Sequence, residues 1–74
     1  MAKKDGGNAV YRVTEVIGTS SQSWEDAARS AVKTAAGTLR DLRIAEIEKL
    51  DVKIENGKIT QFRARLSLSF KYGA

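Results

Sequence analysis

The chain contains no cysteine and no histidine. Without cysteine it forms no disulfide and no thiolate metal site. Without histidine it lacks the commonest transition-metal ligand, and its serines have no imidazole to activate them. A Ser-Lys alternative shows no recognisable spacing, and Gly18 stands alone after its strand rather than in a phosphate loop. These absences predict that the protein is not an enzyme. Aromatic residues make up 7% of the chain, and neither an aromatic cluster nor a basic block marks a nucleic-acid interface. No apolar run approaches the about 18 residues of a membrane span. Lys3 and Lys4 are followed by no apolar run, so no secretory signal is expected. The lack of cysteine fits a reducing compartment, and a cytoplasmic location is the expectation.

At 74 residues the chain is one domain at most, and too small to be comfortably stable alone. With disulfides and thiolate or imidazole metal sites excluded, self-association is the remedy left. The net charge is +4, from 13 basic and 9 acidic residues. Setting aside Lys3, Lys4 and Asp5 leaves 11 against 8, with both signs interspersed, as on an ordinary solvated surface.

Residues 1–8, with Lys3, Lys4, Gly6 and Gly7, read as a disordered tail before a domain at 9–74. Val10–Ile17 is rich in β-branched residues and predicts a strand with apolar side chains on both faces. Gly18 to Gln22 reads as a break. Ser23 is placed to cap a helix by accepting from the Asp26 amide, and Glu25 and Asp26 suit its first turn. A stripe of Trp24, Ala27, Ala28, Ala31, Val32, Ala35 and Leu39 has helical spacing and small volume. The helix is expected to end near Arg40, with Trp24 a core or staple residue.

Arg43–Glu55 predicts a long strand whose period breaks: Ala45 and Ile47 share one parity, Leu50, Val52 and Ile54 the other. A bulge or a sharp bend near Glu48-Lys49 would restore a single buried face. Asn56-Gly57 is a two-residue hairpin turn. In Lys58–Tyr72, the residues Phe62, Ala64, Leu66, Leu68, Phe70 and Tyr72 alternate with polar ones and should pack on the helix. A right-handed crossover and an antiparallel hairpin put strand three between the other two. The expected fold class is α+β: a β-α-β-β unit, its three-stranded antiparallel sheet curled round one helix.

The sheet face away from the helix then carries Ile44, Glu46 and Glu48 from strand two, with Gln61, Arg63 and Arg65 from strand three. An isolated chain would leave Ile44 exposed beside charges, so this face is a candidate subunit interface or ligand surface. The acids Glu15, Glu46, Glu48, Asp51 and Glu55 are hard oxygen ligands of the kind calcium prefers, but no EF-hand spacing gathers them.

Tyr11-Arg12-Val13, Gly18-Thr19-Ser20, Ser23-Trp24-Glu25-Asp26-Ala27-Ala28, Ala45-Glu46 and the closing Leu66-Ser67-Leu68-Ser69-Phe70-Lys71 carry a resemblance spanning Val10 to Tyr72. In these residues the chain resembles the dodecins, small bacterial and archaeal proteins that assemble as hollow homododecamers and often store flavin. The resemblance implies a homododecameric storage protein with pockets between subunits, and FMN or riboflavin as the leading ligand. In flavin-binding dodecins a Trp of strand two stacks on the flavin and a Gln of strand three hydrogen-bonds it. The aligned positions here are Ile44 and Arg63, and the implied ligand-binding set is Ile44, Glu46, Arg63 and Arg65. Ile44 offers apolar cover without an aromatic plane. Arg63 is able to donate to flavin carbonyls, or to pair with Glu46 or Glu48 of a neighbour. A branch of the family carries aliphatic residues in place of the Trp, and some members are described as calcium-binding. The Ser23-Trp24-Glu25-Asp26 wording looks more like that branch. The alternative is thus a non-flavin dodecin that binds calcium, with Glu46 and Glu48 as candidate ligands, or serves as a structural shell. Arg43, Arg63, Arg65 and Lys71 suggest phosphate-bearing ligands such as FMN or coenzyme A. A basic nucleic-acid or partner-binding module is the remaining, less favoured, reading.

Overall fold

A computed structural model describes residues 9–71. The expected tail at 1–8 and the core position assigned to Tyr72 lie outside the described residues. The elements are β1 (Tyr11–Ser20), α1 (Trp24–Ala36), β2 (Leu42–Glu55) and β3 (Lys58–Lys71). They form one sheet in the order β1-β3-β2, and β3 is antiparallel to both neighbours. This is the β-α-β-β unit that the sequence pattern predicts.

α1 begins where the capping chemistry places it. Ser23 is extended (φ −168°, ψ 165°), and its Oγ accepts from the Asp26 amide at 3.0 Å. The Asp26 carboxylate in turn accepts from Ser20 Oγ at 2.7 Å, tying the end of β1 to the first helical turn. The helix stops at Ala36, four residues before the expected Arg40. Gly37 caps it, and the chain tightens as the amides of Gly37 and Thr38 turn back to Thr34 and Ala35 at 3.2 and 3.0 Å. Asp41, at φ 56°, then turns the chain into β2, a left-handed conformation that Asp tolerates.

β1 runs three residues past the expected Ile17, so Gly18 lies inside the strand and pairs with Ala64. Its value is close approach: a Cβ there would lie 2.1 Å from the Ala27 carbonyl oxygen and 2.8 Å from the Ala31 Cβ. The alanine stripe of α1 therefore rests on a glycine. The core is correspondingly small in volume: Ala27, Ala31, Ala35, Ala64, Leu66 and Leu68. Among the described residues only Leu66 and Leu68 are large side chains buried completely, each contributing about 2–3 kcal/mol of hydrophobic stabilisation. Phe62 and Phe70, expected in the core, are only half-buried.

The expected bulge is present between Ile47 and Lys49, and it keeps Ala45, Ile47, Leu50 and Val52 on the helix side of β2. Asn56 (φ 52°) and Gly57 (φ 76°) close the hairpin in the left-handed conformations a two-residue turn requires. Two further irregularities lie between Leu42 and Ile44 and near the turn, between Lys53 and Ile54. Large apolar side chains remain exposed on both faces: Val13, Ile17 and Ile44 on the outer one, Ile47, Leu50 and Ile54 on the helix side. For so small a core this is a large apolar surface left uncovered.

Candidate functional site

The outer face of the sheet, opposite α1, holds every residue of the expected ligand set. β3 supplies its central column, Arg63, Arg65, Ser67 and Ser69. β1 and β2 flank it in a register that sets Thr19 and Asp51 beside Arg63, and Glu15 and Glu46 beside Ser67. Ser69 stands between Val13 and Ile44. Antiparallel pairing brings such cross-strand side chains within reach of one another.

Ion pairs and a side-chain hydrogen bond organise this face. Arg63 donates through Nε to Asp51 Oδ1 at 2.7 Å and through Nη2 to Asp51 Oδ2 at 3.2 Å. The Arg63 hydrogen bond, above all, holds the Asp51 carboxyl below the usual carboxylate range; partial desolvation opposes it, and the charges of Arg63 and Arg65 assist it. The same bond raises the Arg63 guanidinium above its ordinary value. Arg65 Nη1 reaches Glu15 Oε1 at 3.5 Å. The bulge at Glu48 aims its carboxylate at Ser67, whose buried hydroxyl donates to it. Arg43 lies 3.8 Å from Asp41. Three of the four basic residues suggested for phosphate, Arg43, Arg63 and Arg65, thus face an acid of their own chain.

Within one chain the expected ligand residues do not converge. Ile44 sits beside Ser69, six residues along β3 from Arg63, or roughly 20 Å at about 3.3 Å per residue. Ile44 is 57% exposed. Arg63 pairs with Asp51 of its own chain, without needing a neighbour's Glu46 or Glu48. A groove of about 490 Å³ lies between β1 and α1 over Gly18, Ala31, Thr34 and Ala35, and it includes none of Ile44, Glu46, Glu48, Arg63 and Arg65. Among the described residues no three carboxylates gather as a metal cage.

Trp24 lies on the helix side and is 39% exposed. Its ring meets Phe62 edge-on at 5.2 Å between centroids, and its Nε1–H donates to the Asp51 carbonyl at 3.0 Å. Sequence reasoning missed this link and the Asp51–Arg63 pair. Counting back from the Asn56-Gly57 turn puts Asp51 opposite Phe62. The irregularity beside Lys53 adds one residue on the β3 side and moves Arg63 into place. A single extra residue in one strand is nearly silent in the sequence pattern.

The strand order, the sparse alanine core and the glycine under the helix describe one particular three-stranded unit, and the sequence model of the dodecin family matches residues 10–73. The chain belongs to the dodecin family. It is 44% identical over 64 residues to the calcium dodecin of Mycobacterium tuberculosis, covering 85% of this chain and 89% of that protein. A dodecin structure from Streptomyces coelicolor superposes with a TM-score of 0.84 at 38% identity, covering 92% of this chain and 97% of that one. The crystal structure of the Mycobacterium tuberculosis calcium dodecin, described as calcium-chelating with a novel calcium-binding site, superposes with a TM-score of 0.76 at 42% identity. That match covers 85% of this chain and 90% of the other.

Proposed function

We propose that this chain is a homododecameric ligand-storing dodecin without catalytic turnover, and that its ligand is calcium in preference to flavin. The observation that carries the reading is the Arg63–Asp51 pair: the position that the family resemblance assigns to a flavin-bonding Gln holds an arginine already engaged by its own chain. The similarity to a calcium dodecin supports the same direction.

The donor chemistry is of the right kind. Calcium takes about 6–8 oxygen ligands, more than one copy of this face gathers, so the site is completed between copies, with Glu46 and Glu48 contributing from each. Glu48 is oriented by Ser67, the sort of outer support that ligating carboxylates use. The exposed apolar residues on both faces support assembly. The proposal includes a cytoplasmic location and no nucleic-acid partner; the engagement of Arg43, Arg63 and Arg65 with acids supports the latter.

A second reading, FMN or riboflavin as ligand, is favoured by one feature. Val13 and Ile44 flank Ser69 as an exposed apolar pair able to cover a ring, with Glu46, Arg63 and Arg65 supplied by the same or neighbouring copies.

Thermal unfolding of metal-free protein with calcium, with chelator and with FMN separates the two. A ligand at a hundred times its dissociation constant stabilises by about 2.7 kcal/mol. The expected result is a rise in Tm of several degrees with calcium, reversed by chelator. A rise with FMN alone would replace the first reading by the second.

A further inference from the structure

We propose that Asp51 is a specificity-determining residue of the outer face: its carboxylate fills the guanidinium fork of Arg63 and shuts that fork to anionic ligands, while Trp24 pins Asp51 in place. The proposal rests on reading the outer face of the hairpin as the ligand surface.

The first support is geometric. Asp51 and Arg63 are directly opposed in the β2–β3 register and make two bonds, at 2.7 and 3.2 Å. The fork that matches a carboxylate is the one that matches a phosphate, so Asp51 and an incoming phosphate compete for the same N–H groups. Asp51 competes from within the molecule, so its pairing with the fork is an intramolecular event that an incoming anion must displace. Its charge also repels an anion approaching Arg63.

The second support comes from the other side of the sheet. β2 is an edge strand, and the Trp24 indole gives its Asp51 carbonyl a partner at 3.0 Å. The same ring rests on Phe62. Phe62 precedes Arg63 in β3 and pairs with Val52, the residue after Asp51. One side chain from the start of α1 therefore holds the Asp51 backbone on β2 and packs on the Phe62 ring of β3, on either side of the ion pair. Trp24 touches no ligand on the outer face and acts as a positioning residue.

The test uses the intact assembled protein, with FMN as a planar, phosphate-bearing probe followed by fluorescence quenching and inorganic phosphate as competitor. Asp51→Asn is expected to bind FMN about tenfold more tightly than the unaltered protein, the scale of one charge-assisted bond, with phosphate competing. The gain should vanish in Asp51→Asn combined with Arg63→Ala. Trp24→Phe should keep the helix, recover part of the gain, and shift the Arg63 Nε–H resonance, which mere loss of stability would not do. Asp51→Ser serves as a second variant, with the same gain expected. No gain in either Asp51 variant, or an equal gain in the double variant, would overturn the proposal. Calcium-dependent Tm is measured on the same samples. A calcium response kept without an FMN gain sinks this proposal and leaves the calcium reading standing; an FMN gain without a calcium response does the reverse.

Discussion

Gly18 of β1 lies so close beneath the helix that a Cβ on it would come within 2.1 Å of the Ala27 carbonyl oxygen. This contact sets the distance between α1 and the sheet, and it explains why the helix stripe is made of alanine. Gly18→Ala would push a backbone carbonyl and the Ala31 side chain, neither of which is a flexible tip. Overpacking of this kind costs about 1–3 kcal/mol and sometimes more. Thermal unfolding should show a large drop in Tm, and an unchanged Tm would mean that the helix rides higher than described.

Ser23→Ala removes the hydroxyl that accepts from the Asp26 amide. The expected loss is about 1 kcal/mol, read as a lower denaturant midpoint with an unchanged slope. Ser23→Asp should restore most of it, because a carboxylate caps equally well and suits the helix dipole.

The Asp51–Arg63 pair predicts a direction with pH. The folded-state pKa of Asp51 is lowered from its ordinary value of 3.8. Its contribution is therefore present above that value and is lost as pH falls through the lower folded value. The difference in Tm between the unaltered protein and Asp51→Asn should be small at neutral pH, since the pair is solvent-exposed. It should vanish on acidification below the ordinary carboxylate range. A difference that grows with acid would contradict the pairing.

Assembly is predicted by a mismatch: among the described residues the core has two large, completely buried side chains, while apolar surface is exposed on both sheet faces. Sedimentation should find twelve chains of 8.1 kDa, about 97 kDa, rather than a species of 8.1 kDa. Ile44→Glu or Val13→Glu should weaken that assembly while leaving the helix signal in place.

Much of this fold is legible in the sequence because its signals are local. The Ser23 cap, the Asn56-Gly57 turn and the alternation of β3 each act within a few residues, and the parity break in β2 locates the bulge at Glu48. The helix end is less legible, since Gly37 costs a helix only about 1 kcal/mol and its capping role depends on the chain that follows. Gly18 reads as a break because its tertiary reason, the approach of Ala27, is invisible in one strand. The candidate face was legible as a set of residues: Ile44, Glu46, Arg63 and Arg65 do share it. Their separation along the hairpin and the capture of Arg63 by Asp51 depend on register, which one extra residue beside Lys53 changes.

The most direct measurement is a calorimetric titration of calcium into the metal-free assembly, beside Glu46→Gln/Glu48→Gln and with an FMN titration as control. Saturable calcium binding that is lost in the double variant, with FMN binding far weaker than calcium binding, is the expected result. Absence of calcium binding together with saturable quenching of FMN would contradict it and assign the outer face to flavin.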